Sequence, residues 1–328
     1  MHYVIVGGGI AGLRAAETIR RYDRAGRIVI VSSEEGPPYA RHLLPELLSG
    51  DRTENSLLLR PADFFSKNRI DFRMGEEVEE IDTAKALART NGGEYGYDRL
   101  LIATGGRPVL PRASLLNING VFVLRSLTDV RTIDSYLRRE HVEKAAVVGS
   151  GILGLKVAYA LSRRGIEVSV VEKEPTLLPR MLDPESLTPV SNLLWHNGFK
   201  ILLGERFREF ITSGDKKRVS HLVTYSGSSA PCQVAVMCPG GAPKDALAKA
   251  IGLKVRKGIV IDEHMRTSAE NIFAAGDVVE TKNLATGRTE VMPLWPLASE
   301  QGRIAGANMA GKESVYAGAI WQNSVRLF

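Results

Sequence analysis

Residues 3–12 read Tyr3-Val-Ile-Val-Gly-Gly-Gly-Ile-Ala-Gly12, and the rest of the chain is organised around this stretch. The apolar run at 3–6 predicts a buried strand. Gly7, Gly9 and Gly12 follow in G-x-G-x-x-G spacing, and Ile10, Leu13, Ala16 and Ile19 recur behind them at helical spacing. Strand, tight turn and helix in this order suit a dinucleotide. The first glycine permits the turn, the second lets a pyrophosphate approach the backbone, and the third allows close helix–strand packing. Free N–H groups at the helix N-terminus then face the phosphates. A glycine-rich turn can also serve the backbone alone, so its context decides. A second apolar run, Arg27–Ser32, stops just before Ser33 and Glu34, and that acid lies 22 positions past Gly12, where ribose hydroxyls need an acceptor.

The same device recurs. Residues 145–154 read Ala145-Ala-Val-Val-Gly-Ser-Gly-Ile-Leu-Gly154, with Gly149, Gly151 and Gly154 in the same spacing and Ile152, Leu155, Ala158 and Tyr159 on one helical face. A strand over 167–171 ends at Glu172, 18 positions past Gly154. The closing segments repeat too: "ATGGRP" at 103–108 is echoed by "CPGGAP" at 238–243. Two copies, each with its own acid and closing strand, predict two dinucleotide sites.

The remaining chain reads as connecting elements. Short helices are expected at 43–48 and 61–68, a strand at Ile70–Met74, a meander from "GEEVEEID" onward and a buried strand at 98–104. Further helices are expected at Leu127–Arg139, 245–250 and 294–310. Pro296 fits the first turn of the last, where a missing N–H costs nothing, and Glu300 is placed near its positive end. The run at 271–277 reads as a buried strand that leaves Asp277 at a glycine turn. These elements predict an α/β protein of two Rossmann-like modules. The first covers 1–111 and resumes at 244–311, the second covers 112–243, and 312–328 looks like the start of something further.

Composition narrows the function. With 44% hydrophobic and 24% charged residues the 328-residue chain is ordinary for a globular protein. It holds no apolar run of about 18 residues, the length a membrane helix needs. The first strand starts at once, which argues against a signal peptide, and two cysteines make no disulfide framework, so the cytoplasm is expected. The net charge of +6 comes from scattered groups such as Arg20-Arg21, Arg163-Arg164 and Lys216-Lys217-Arg218. They suit steering of anions or of an acidic partner; no nucleic-acid motif accompanies them. The six histidines show no metal-ligand spacing, and no metal is expected.

Taken together, "VIVGGGIAGLRAAE", "LLIATGGRP", "VVGSGILGLKVA", "NIFAAGDV" and "LWPLASEQGRIAG" resemble, in order, the FAD-dependent pyridine nucleotide–disulfide oxidoreductase superfamily. "PPYARHLLPELLSG" is most similar to its NADH-dependent ferredoxin and rubredoxin reductase branch and to the flavin module of nitrite reductases. The resemblance implies a glutathione-reductase-like architecture, with FAD on the first motif and NAD(H) on the second. For FAD it implies Gly7, Gly9, Ile10, Ala11, Gly12, Ser33 and Glu34 around the ADP half, and Arg41 beside the flavin. Val78 would meet the adenine, Ala103, Thr104 and Gly105 would line the cofactor, and Gly276 and Asp277 would meet the ribityl chain. The helix opening near Leu297 and Ala298 would point at the flavin edge. For NAD it implies Gly149, Gly151, Ile152, Leu153, Gly154, Glu172 and Gly240. A carboxylate at Glu172 repels a 2′-phosphate and so favours NADH over NADPH, although Lys173 is adjacent.

Two departures stand out. Relatives that reduce disulfides carry redox cysteines after the first ribose acid, and related oxidases carry one; here the sequence is Tyr39-Ala-Arg-His42, and Cys232 and Cys238 lie far away. Thiol chemistry at the flavin is therefore not expected. Relatives also pair a glutamate at position 156 with a lysine from the first module, whereas this chain has Lys156. Aligning "PYARHLLPE" predicts the pair with its signs exchanged, Glu46 to Lys156, near the nicotinamide. The resemblance also implies an interface domain after the second part of the first module, expected here to be missing or cut short at 312–328. The function implied is passage of electrons between NADH and a protein partner, a ferredoxin- or rubredoxin-type carrier or an iron–sulfur subunit. An NADH oxidase or small-molecule reductase is the alternative among enzymes, and a flavin-containing scaffold the alternative outside them.

Overall fold

The computed structural model describes residues 1–179, 181–214 and 217–322, the side chain of Pro184 aside. Positions 323–328 of the expected C-terminal stub and Lys216 of the basic run lie outside these. The chain forms two compact units. The first gathers Met1–Ala40, Leu58–Arg107 and, among the described residues, 242–322; the second gathers Arg41–Leu57 and Pro108–Gly241.

In the first unit five parallel strands lie in the order Ile272–Ala274, Arg99–Ile102, His2–Val6, Arg27–Ser32, Ile70–Met74. Tyr3, Ile5, Ile28, Ile30 and Leu101 bury one face, while Val4, Val6, Val29, Leu100 and Ile102 bury the other. Burial on both faces explains why these strands read as continuous apolar runs. Helices Ile10–Tyr22 and Trp295–Met309 cross at backbone contact. A Cβ on Gly302 would stand 2.1 Å from the Ala11 carbonyl oxygen, and one on Gly306 would stand 2.4 Å from that of Ala15. The expected meander is an antiparallel sheet of Val78–Asp82, Leu87–Thr90 and Gly93–Gly96.

The second unit repeats the plan: Val121–Val123, Val234–Met237, Lys144–Val148, Glu167–Glu172 and Lys200–Leu203, again all parallel. The glycine-turn strand is central in each, flanked by its closing strand and its acid-bearing strand. Leu127–Arg139 is a helix with a Ser126–Asp129 capping box. Helix Pro184–His196 and the antiparallel strands Phe207–Ser213, Arg218–Thr224 and Ser229–Pro231 were not expected.

Several expectations need correction. Segment 41–57, assigned to the first module, packs in the second unit, where Leu44, Leu48 and Leu57 are buried. Residues 312–322, expected as the start of something further, belong to the first unit. There the Tyr316 N–H donates to the Glu263 carbonyl at 2.8 Å and the Ala319 N–H to that of Lys282 at 3.0 Å. Glu300 lies past the first turn of its helix and pairs with Arg303 at 2.6 Å.

Candidate functional site

The six glycines of the two turns fall into three matched pairs. Gly7 and Gly149 adopt φ of +122° and +106°, and a Cβ on them would meet the carbonyl oxygens of Ala103 and Cys238 at 2.2 and 2.3 Å. On Gly12 and Gly154 it would meet the carbonyl oxygens of Gly7 and Gly149 at 2.0 and 1.9 Å. Protein packing alone demands glycine at these four positions. Gly9 and Gly151 differ, because an added Cβ would have nothing within 4 Å. No protein contact requires glycine there, and bare backbone faces open space of the kind a pyrophosphate occupies.

Among the described helices of more than eight residues, capping sets three apart. Ile10–Tyr22, Ile152–Ser162 and Trp295–Met309 have no side-chain cap and no acid in the first turn. By contrast Leu127–Arg139 is capped by Ser126 and Pro184–His196 by Asp183. Uncapped helix starts leave N–H donors and positive dipole ends for an anion. The residues of both turns therefore fit dinucleotide phosphates. Ile10 and Ile152 are half-buried, Ala11 is buried, and Leu153 is an exposed apolar side chain in the first turn of its helix.

The two acids, Glu34 and Glu172, do not occupy corresponding positions. Val31 and Val171 each accept from the first glycine of their turn, at 2.8 Å in both modules. Counting from them, Glu172 is the counterpart of Ser32, and Glu174 that of Glu34. The backbone agrees: Gly75 and Gly204 donate to the Glu34 and Glu174 carbonyls, and Glu76 and Glu205 to those of Ser32 and Glu172. Glu172 is buried, and its carboxylate accepts from the Ser150 N–H at 2.7 Å, the Ser150 hydroxyl at 3.0 Å and the Glu174 N–H at 3.0 Å. Glu34 is half-buried and accepts from the Tyr39 hydroxyl at 2.5 Å. The unequal spacings of 22 and 18 were the available signal that the two acids occupy different positions.

Other expected residues of the first module surround its turn. Gly276 has φ +87°, and a Cβ there would lie 3.2 Å from Ala11 Cβ and 3.7 Å from Ala298 Cβ. The Gly276–Asp277 turn thus lies where the starts of two uncapped helices meet, with Leu297 half-buried beside Ala298. The Thr104 hydroxyl donates to the Lys244 carbonyl at 2.7 Å, and Gly105 accepts from the Lys244 N–H at 2.8 Å. Ala103 and Val78 are buried, and Ser33 is exposed. Arg41, expected beside the flavin, belongs to the second unit, and its guanidinium donates to the Arg125 carbonyl. Gly240, also in that unit, takes φ +92° with open space at its Cβ position.

The sign-exchanged pair is made: Lys156 Nζ lies 3.1 Å from Glu46 Oε1, while Arg52 Nε holds Glu46 Oε2 at 2.7 Å. Burial pushes the Glu46 carboxyl up, but Arg52 and Lys156 outweigh it and hold it below its ordinary value. Burial, then the Lys156 charge, push His42 down from 6.5. Burial pushes both cysteine thiols up to about 12, so neither is a thiolate at neutral pH. Among the described residues no group of His, Cys, Asp and Glu could hold a metal ion, and no helix is long and apolar enough to cross a membrane.

Two duplicated glycine-turn modules, each with an uncapped helix start and a carboxylate at hand, define a two-dinucleotide protein of Rossmann type. The chain belongs to the pyridine nucleotide-disulphide oxidoreductase family, which residues 1–302 match. It is 33% identical to an NADH oxidase of Methanocaldococcus jannaschii, covering 96% of this chain and 71% of that protein. It is 32% identical to the rubredoxin-NAD(+) reductase of Pseudomonas putida, covering 95% and 80%. A NAD-dependent persulfide reductase from A. fulgidus superposes with a TM-score of 0.93 at 34% identity, covering 100% of this chain and 62% of that one. The chain thus spans between 62% and 80% of the length of these three relatives.

Proposed function

We propose that this protein is an FAD-dependent NADH:acceptor oxidoreductase that passes electrons to a protein partner, a rubredoxin- or ferredoxin-type carrier or an iron–sulfur subunit. The observation that carries the reading is the matched pair of cradles, each with open space at its middle glycine and an uncapped helix behind it. FAD belongs to the first and NAD(H) to the second; when bound, FAD supplies N5 as the hydride acceptor from nicotinamide C4 and an outlet for single electrons. The chain's own residues bind and orient. Gly9, Ile10 and Ala11 offer N–H groups to one pyrophosphate, and Gly151, Ile152 and Leu153 to the other. Asp277 and Glu34 accept from hydroxyls of the first dinucleotide, and Glu172, with Glu174 beside it, from the ribose of the second. The Lys156–Glu46 pair keeps two charges neutralised close to the second cradle.

A protein acceptor is favoured over thiol or disulfide substrates because Cys232 and Cys238 are the chain's two cysteines and both stay protonated. The P. putida relative is named for rubredoxin. The M. jannaschii relative is named an NADH oxidase, which supports a second reading with oxygen as acceptor. Steady-state NADH oxidation, with and without rubredoxin or ferredoxin, separates them. At least a tenfold rise with carrier is expected; an unchanged rate under air, abolished without oxygen, would favour the oxidase. The low cysteine content suits the cytoplasm.

A further inference from the structure

We propose that Gln301 is a positioning residue of the first cradle, locking the Gly276–Asp277 turn and coupling it through Tyr316 to the segment that follows the last helix. The proposal rests on the reading that FAD occupies this cradle. Gln301 is 2% exposed on helix Trp295–Met309. Its Oε1 accepts from the Gly276 N–H at 2.8 Å, and its Nε2 donates to the Tyr316 hydroxyl at 3.3 Å. The Gly276 N–H needs an acceptor, so the amide oxygen must face it and the NH2 must face the phenol. Burial pushes the Tyr316 phenol up from its ordinary value, so it stays neutral and can accept.

Both ends of this relay are anchored. Gly276 sits against Ala11 and Ala298 at φ +87°, leaving its turn little room to adjust without moving a helix start. The Tyr316 segment is held by the Glu263 carbonyl and by Asn308, whose Nδ2 donates to the Ser314 carbonyl at 2.7 Å and whose Oδ1 accepts from the Ser314 N–H at 3.0 Å. One buried amide therefore links the seating of 314–316 to the placement of Asp277, and loosening either end frees the carboxylate's turn.

The test measures the Kd for FAD by flavin fluorescence, the melting temperature of the apoprotein, and hydrogen exchange of the peptide carrying Gly276. Wild type, Gln301→Met and Tyr316→Phe are compared. A lost hydrogen bond to a buried N–H predicts a rise in Kd of about tenfold or more for Gln301→Met, and roughly threefold for Tyr316→Phe, where the Gly276 contact survives. Both variants should speed exchange at Gly276. Tyr316→Phe removes one oxygen and provides the measurement should Gln301→Met not fold. Unchanged Kd and exchange in the variants, even with a lowered melting temperature, would overturn the positioning role. Failure of wild type to bind FAD would instead overturn the cofactor reading, and this proposal with it.

Discussion

A buried carboxylate is tolerated only when donors surround it, and Glu172 has three, two of them from Ser150 in the glycine turn. It therefore shapes the turn, whatever it contributes to the ribose contact proposed for it. Glu172→Ala leaves the buried Ser150 N–H unpaired, so NADH binding should weaken about tenfold to a hundredfold without NADPH becoming a good substrate. KM values for both nucleotides check this; a clean switch to NADPH would show that Glu172 acts on specificity alone. For Glu46 and Lys156, whose side chains are 32% and 18% exposed, a double-mutant cycle should give a coupling of about 0.5–1 kcal/mol. His42 adds a pH dependence. Its pKa is depressed in the fold, so the unfolded chain binds its proton first, and the stability gained by keeping the ring neutral is present above 6.5 and lost as pH falls below it. Glu46, depressed from 4.5, gives a second loss in the same direction at lower pH. Stability measured by denaturant titration should fall from pH 7 toward pH 5, and His42→Asn should flatten that part of the curve.

Elements divide the glycines by what they serve. Gly302 lets two helices touch at the backbone, so Gly302→Ala should destabilise the protein by about 1–3 kcal/mol or more. Gly9→Ala meets no protein atom and should cost the apoprotein only about 0.5–1 kcal/mol, while lowering the FAD content of the purified protein severalfold. Thermal denaturation and flavin absorbance separate the two. The strand–turn–helix units were legible in sequence because both faces of each strand are buried and each turn needs glycine; Arg27–Ser32, Ile70–Met74 and Leu127–Arg139 match their expected bounds. Helix Pro184–His196 was not, since Pro189 sits inside it and disguises the helical pattern. The hairpins from Phe207 to Pro231 carry mixed polar and apolar residues with bulges, which leave little strict alternation to read. The Gln301–Gly276 contact was invisible for another reason, because it joins a helix to a turn 25 residues earlier through one side chain.

For the molecule as a whole, the internal repeat is the deepest signal. Strand order, parallel direction and the hydrogen bonds beyond each acid recur from one unit to the other. The residues that differ, Gly8 and Ser32 against Ser150 and Glu172, are those that would distinguish one dinucleotide from another. On the function proposed above, the two cradles of different chemistry serve two cofactors of one reaction. Anaerobic titration of the FAD-loaded protein with NADH, followed by flavin absorbance, tests that claim most directly. Bleaching complete near one equivalent of NADH per flavin is the predicted result; bound FAD that NADH leaves fully oxidised would contradict it.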